Sequence, residues 1–193
     1  MLGSQNNKMG NDMRLPMWRA EGNKSTSFTD KDLIKLLSTV TLFIGLDIKE
    51  MDFIKSILYE RNYNMGEYLF RENHPASTIF IIKSGFVAVE ESTSMNQPKK
   101  SYPIMLTPGD CLGELALLED SKRPNSAYCT SNTTVLGIFR SDFFNLVRKN
   151  PTVGQKILQN FISYIDSKLV SISDELIDYR RRNSELKCEL ESR

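Results

Sequence analysis

The stretch Thr107–Ala127, TPGDCLGELALLEDSKRPNSA, carries the residue types best suited to binding chemistry. Pro108-Gly109-Asp110 reads as a turn, and Gly113-Glu114-Leu115-Ala116-Leu117-Leu118 reads as one helical turn after a strand. Glycine at 113 lets a ligand come close to backbone N–H groups. Amides at the start of a helical turn favour an anion. Arg123 follows shortly after, and its guanidinium fork suits a phosphate. An ionised Glu114 only accepts hydrogen bonds, so it suits a sugar hydroxyl. The set asks for an anion beside a hydroxylated ring.

Other chemistry is poorly supplied. The cysteines Cys111, Cys129 and Cys188 are far apart in sequence and form no CxxC pair, and the single histidine is His74. A zinc site needs about four clustered thiolate or imidazole ligands, so no metal is expected and the thiols read as free in a reducing compartment. No acid/base pair and no nucleophile with an activating partner is visible, so the chain reads as a non-enzyme without a cofactor.

The elements that must position Glu114 and Arg123 follow from the periodicity. A helix is expected from about residue 29, with Leu33, Ile34, Leu36 and Leu37 on one face. A second begins at Asp47, where Asp47-Ile48-Lys49-Glu50 has the spacing of a capping box. The period then shortens. Strands are expected at Leu69-Phe70, Ile79–Ile82, Phe86–Val89, 102–106, 127–130 and 134–139, with Ser84-Gly85 as a tight-turn signal and Thr93–Lys100 as an exposed loop tip. Such spacing predicts an all-β sandwich or barrel. Ser141 is the expected N-cap of a helix over Asp142–Lys149, and Asn150-Pro151 separates it from the next.

The C-terminal helix shows a strict heptad. Ile162, Leu169, Leu176, Asn183 and Leu190 take a positions, and Ile165, Ile172, Tyr179 and Leu186 take d positions. Asn183 in the seam costs stability but favours a two-stranded, in-register pair. Glu175 at g faces Arg180 at e of a parallel partner, whereas Arg182 and Lys187 meet as like charges. These features predict a parallel homodimeric coiled coil.

Composition bounds the partners. In 193 residues, 25 Lys plus Arg against 24 Asp plus Glu leave a net charge of +1, which argues against a strongly basic nucleic-acid binder. No run of about 18 apolar residues exists to span a membrane. The N-terminus lacks the apolar core of a secretory signal, which points to the cytoplasm. Residues 1–27 read as a mobile arm in which Met17 and Trp18 are the candidate anchors. Residues 28–153 read as the globular domain with its flanking helices, and 154–193 as the coiled-coil helix.

The stretch around Glu114 resembles the phosphate-binding cassette of the cyclic nucleotide-binding domain family, which includes bacterial cAMP receptor proteins and the regulatory subunits of cAMP-dependent protein kinase. The residues that match are Gly109, Asp110, Gly113, Glu114, Leu115, Ala116, Leu117 and Arg123. Leu42-Phe43-x-Gly45-Leu46, Gly66-Glu67, Phe70-Arg71-Glu72, Ser84-Gly85-x-Val87, Ser141-Asp142-Phe143-Phe144 and Asn150-Pro151 extend the likeness over about 37–170. The resemblance implies a β jelly roll with N-terminal helices and a long C-terminal dimerisation helix, holding cAMP or cGMP. It implies that Glu114 accepts from the ribose 2′-hydroxyl and Arg123 pairs with the cyclic phosphate. Gly113, Glu114 and Leu115 would line the helical turn, and Asn125 and Ser126 would lie within reach of the ligand.

Two departures bear on binding. Pro124 stands where the family has a small residue that donates its N–H, and Asn125 follows where Ala is common. A lost charge-assisted donor costs about 1.5–3 kcal/mol. In the region that contacts the base in bacterial relatives, the only nearby hydroxyls are Ser167 and Ser171. Two functions therefore stay open. One is a dimeric cyclic nucleotide sensor that acts on an effector protein. The other is a ligand-free fold acting as an interaction module, in which Arg123 and Glu114 pair with each other. The family's DNA-binding half needs roughly 60 further residues after this helix, and Arg180-Arg181-Arg182 reads as a solvated face, so no nucleic acid is expected.

Overall fold

The structure, a computed structural model, describes residues 28–90, 103–117 and 122–191. The expected arm 1–27 and the loop tip Thr93–Lys100 lie outside these residues. Two capping boxes start the N-terminal helices. In α1 (Asp30–Thr39), Asp32 N donates to Thr29 Oγ1 at 3.2 Å and Thr29 N to Asp32 Oδ2 at 3.0 Å. In α2 (Ile48–Lys55), Glu50 N donates to Asp47 Oδ1 at 2.9 Å and Asp47 N to Glu50 Oε2 at 2.8 Å, as the sequence predicts. Each box satisfies backbone donors that a helix start otherwise leaves open. A short 3-10 helix, Thr41–Phe43, sits between them and buries Leu42 and Phe43.

Eight strands follow among the described residues: β1 (Tyr59–Tyr63), β2 (Tyr68–Phe70), β3 (Thr78–Ser84), β4 (Val87–Glu90), β5 (Ile104–Leu106), β6 (Cys111–Leu112), β7 (Ser126–Cys129) and β8 (Thr133–Phe139). They form two antiparallel four-stranded sheets, ordered β1-β8-β3-β6 and β2-β7-β4-β5. The fold is the expected β jelly roll with flanking helices and a long C-terminal helix. β3 and β8 are nearly continuous apolar runs because both of their faces are covered. Ile79, Ile81, Leu136 and Ile138 pack against the helices, while Ile82 and Val135 face the second sheet with Val87, Ala127 and Cys129.

Three local expectations are corrected. Ser84-Gly85 does not close a hairpin, because β3 and β4 belong to different sheets and the chain crosses between them there. Gly85 has φ +87°, and a Cβ on it would lie 2.6 Å from Asn132 O and 2.7 Å from Thr133 Cα, so only glycine fits this crossing. Ser141 is not an N-cap. Helix α3 (Arg140–Lys149) starts directly from β8 with Phe139 at its cap and no side-chain cap bond. β1 was not expected, whereas β6 is the strand expected before Gly113. β1, YERNY, buries only Tyr63, so pairing with β8 rather than an apolar pattern makes it a strand.

Asn150 ends α3 at φ −133°, and Pro151 starts α4 (Pro151–Glu191). α4 therefore runs across the expected boundary at 153. Its first turns dock on the roll through the buried Val153, Ile157 and Phe161 and the partly buried Ile165. Lys156 Nζ reaches Glu50 Oε2 at 2.7 Å, and Asn160 Nδ2 donates to Leu42 O at 3.1 Å and Ile44 O at 2.8 Å. Beyond Ile165 every described side chain of α4 is exposed. Of the heptad residues, Ile165 packs against the domain's own core. Ile162, Leu169, Ile172, Leu176, Tyr179, Asn183, Leu186 and Leu190 are open to solvent.

Candidate functional site

Arg123 is the pivot of the site. The segment before β7 lies antiparallel to residues 73–75. Arg123 N donates to His74 O at 2.8 Å and Asn73 N donates to Arg123 O at 2.9 Å, with a bridge between Pro75 and Lys122. These bonds fix the backbone and drive the side chain inward, where Arg123 is only 4% exposed. The guanidinium stacks on Phe70, with Cζ 4.2 Å from the ring centroid, and lies 5.7 Å from that of Phe80. One Nη donates to Thr78 O and the other to Gly113 O at 3.5 Å. Nε is buried with no partner, and among the described residues no carboxylate pairs with the side chain. Burial pulls its pKa down to about 10, against the opposing pull of the Glu114 charge. A buried cation that hydrogen-bonds only to carbonyls, with a free donor, is prepared for an anion.

Gly113, at φ +77°, follows β6 and opens the short 3-10 helix Glu114–Leu117, closed by Ala116 N donating to Gly113 O at 3.0 Å. The sequence reading reserved the missing side chain of Gly113 for a ligand. The structure gives that room to Arg123 instead, since a Cβ on Gly113 would overlap Nη1. Glu114 does not pair with Arg123. Its Oε1 accepts from the Tyr164 hydroxyl of α4 at 2.8 Å. Burial and the neighbouring Glu114 charge push the Tyr164 phenol well above its ordinary range, so Tyr164 stays a donor. This contact joins the cassette to the docked part of α4, and it leaves Oε2 to accept a further hydroxyl.

The pocket between these groups encloses about 210 Å³. Gly113, Glu114, Leu115, Arg123, Pro124 and Asn125 line one side, Val89, Ile104 and Leu106 form an apolar wall, and Tyr164 and Lys168 close it from α4. Five of the six expected ligand residues therefore meet in one pocket. Ser126 does not line it. In β7 the side chains alternate, so Ala127 and Cys129 point inward while Ser126 points away, and its Oγ accepts from Glu72 N at 3.0 Å. Ser167 is also elsewhere, with its Oγ bonded back to Tyr164 O at 2.7 Å.

Tyr164 and Lys168 were missed by the sequence reading. They stand one turn apart on a face beside the heptad stripe, which is the signal that could have found them. Thr78 contributes a backbone carbonyl, which carries no mark in sequence. A second cavity, of about 290 Å³, lies on the other side of Arg123 with Tyr59, Arg61, His74 and Phe139 in its wall, but it holds no carboxylate. His74 lines that cavity while Cys111 lines the first, so they form no pair. Burial pushes the Cys111 thiol up to about 12, far from a reactive thiolate. Among the described residues no group of three or more potential metal ligands gathers, and no helix is long and apolar enough to cross a membrane.

Residues 60–150 match the family model of the cyclic nucleotide-binding domain. Among curated proteins, the cyclic AMP receptor protein of Thermus thermophilus is 29% identical over 116 residues, covering 60% of this chain and 53% of that protein. Human cGMP-dependent protein kinase 2 is 25% identical over 136 residues, covering 67% of this chain and 17% of the kinase. The chain thus spans about half of the first relative and much less of the second. Among solved structures, the catabolite activator protein of Thermus thermophilus superposes with a TM-score of 0.62 at 27% identity, over 70% of this chain and 61% of that one.

Proposed function

We propose, from the premise that residues 60–150 belong to the cyclic nucleotide-binding domain family, that this chain is a regulatory sensor that binds a purine cyclic nucleotide. The carrying observation is the buried Arg123 guanidinium, which has an unpartnered Nε and, among the described residues, no carboxylate in ion-pair contact. The cyclic phosphate supplies that missing anion. The ribose hydroxyl donates to Glu114 Oε2, and the base lies along Val89 and Leu106. Because Tyr164 shares Glu114 with the ribose, a change at the pocket reaches α4 directly. A ligand shifts the helix only by as much as it binds the two arrangements differently. The exposed heptads of α4 then pair two chains, so the sensor acts as a homodimer on an effector protein, without DNA-binding or catalytic machinery of its own in these residues.

The relatives named for cAMP and cGMP support this ligand class. The test is a thermal-shift and calorimetric titration with both nucleotides. Stabilisation that disappears in Arg123→Ala is expected, whereas no heat at millimolar ligand overturns the reading. One observation favours the ligand-free alternative. Pro124 lines the pocket and has no N–H to donate. If binding is only weakened by that loss, Pro124→Ala tightens it by about tenfold or more. If Pro124→Ala binds nothing either, the chain is an interaction module.

A further inference from the structure

The α4 wall of the pocket holds a charged group that the sensor reading leaves unused. With the phosphate at Arg123 and the ribose at Glu114, Tyr164 and Lys168 on the α4 side of the pocket are left to face the base. Tyr164 is held there by Glu114. Lys168 stands one turn further on, lines the same pocket, and places Nζ 5.5 Å from the Tyr164 ring centroid. Among the described residues its ammonium has no carboxylate partner and donates no hydrogen bond. A second chain paired on the proposed heptad seam would not supply one either. Lys168 is a g residue of the heptad and faces Ser173 at e of a parallel second chain.

We propose that Lys168 selects the purine of the bound nucleotide and favours guanine over adenine. The proposal rests on the sensor reading above. An ammonium only donates hydrogen bonds. Guanine presents O6 and N7 on one edge, two acceptors side by side. Adenine presents N7 beside the N6 amino group, whose hydrogens oppose the ammonium. A lysine on the α4 side of the pocket therefore finds two acceptors on one base and a clash of donors on the other. The same preference extends to hypoxanthine, which keeps O6 and N7 but lacks the 2-amino group.

Calorimetric titration of the full chain with cGMP, cAMP and cyclic inosine monophosphate tests this, in the natural sequence and in Lys168→Met. Lys168 is exposed and, among the described residues, makes no hydrogen bond or ion pair, so the substitution spares the fold. The natural chain is expected to bind cGMP and the inosine analogue about tenfold more tightly than cAMP. In Lys168→Met the three affinities converge, with the loss falling on the two 6-oxo purines. Equal affinities in the natural chain, a preference for cAMP, or a cGMP preference unchanged in Lys168→Met overturns the role of Lys168 and leaves the sensor intact. Absence of heat with all three nucleotides removes the sensor reading and this proposal together.

Discussion

The two parts of α4 share one helix and differ in what they touch. Residues 151–165 bury Val153, Ile157 and Phe161 against the roll, tie Asn160 to Leu42 and Ile44, and carry Tyr164 to Glu114. Residues 166–191 expose every described side chain, including Leu169, Leu176 and Leu190 on the heptad stripe. Apolar periodicity is present in both parts, so it does not distinguish core from seam. What separates them is whether the domain presents a complementary surface. The first part is fixed by its own chain and belongs to the pocket. Of the second part, Lys168 lines the pocket; in the proposed homodimer the exposed stripe pairs with another chain, and its stability then depends on concentration.

The strongest way to break this contrast is to cut into the docked part. Ile157→Ala leaves a cavity in the main core and is expected to lower stability by about 2–5 kcal/mol. Leu176→Ala should leave the jelly roll's own unfolding unchanged within about 0.5 kcal/mol. Urea denaturation at low protein concentration compares them, and equal losses would erase the distinction.

A complementary substitution separates assembly from folding. Leu176→Glu puts a charge in the expected seam, so sedimentation should show monomer where the natural chain is expected to be dimeric. The melting of the roll should stay where it was. A natural chain that sediments as a monomer at all concentrations would remove the role assigned to the stripe.

Asn160→Ala sharpens the contrast on the polar side. It removes both bonds to Leu42 O and Ile44 O, and a loss of about 1–2 kcal/mol is expected. Nucleotide affinity should fall with it, since the same helix surface positions Tyr164. Unchanged affinity at reduced stability would show that the docking of α4 and the pocket are uncoupled.

The smallest effect is with pH. Burial holds Arg123 at about 10, and a base with a lowered pKa keeps its proton, and its partner anion, everywhere below that value. Tyr164, pushed up, keeps its proton as well. Affinity is therefore expected to be flat between about pH 6 and 9, with the guanidinium charged throughout. A titration that weakens within the flat range would point to a different anion-binding group.

Legibility followed the range of each interaction. The capping box of Asp47 and Glu50, the turn after Cys111-Leu112 and the break at Asn150-Pro151 are decided within a few residues. Each was readable from residue types. β1 was not, because YERNY has no apolar alternation and becomes a strand only beside β8. The turn at Gly85 carries a hairpin signature, yet it joins two sheets, because its neighbours pair with β8 and β7 rather than with each other. Ser126 lies outside the pocket for a related reason. Its inward or outward direction depends on the register of β7, not on its identity.

The amino-acid sequence alone determined that an arginine and a glutamate sit around a glycine-led turn in a β-rich domain, and that a heptad helix follows. Those features are periodic or closely spaced, and local geometry enforces them. Only the tertiary structure decided what these residues meet. Arg123 is held by the Thr78 carbonyl and two phenyl rings from separate strands. Glu114 is held by a tyrosine fifty positions away in α4, and Lys168 reaches the pocket through the same docking. Contacts of that kind are made between surfaces that chain folding brings together, and backbone carbonyls and helix docking leave no pattern in the order of residues.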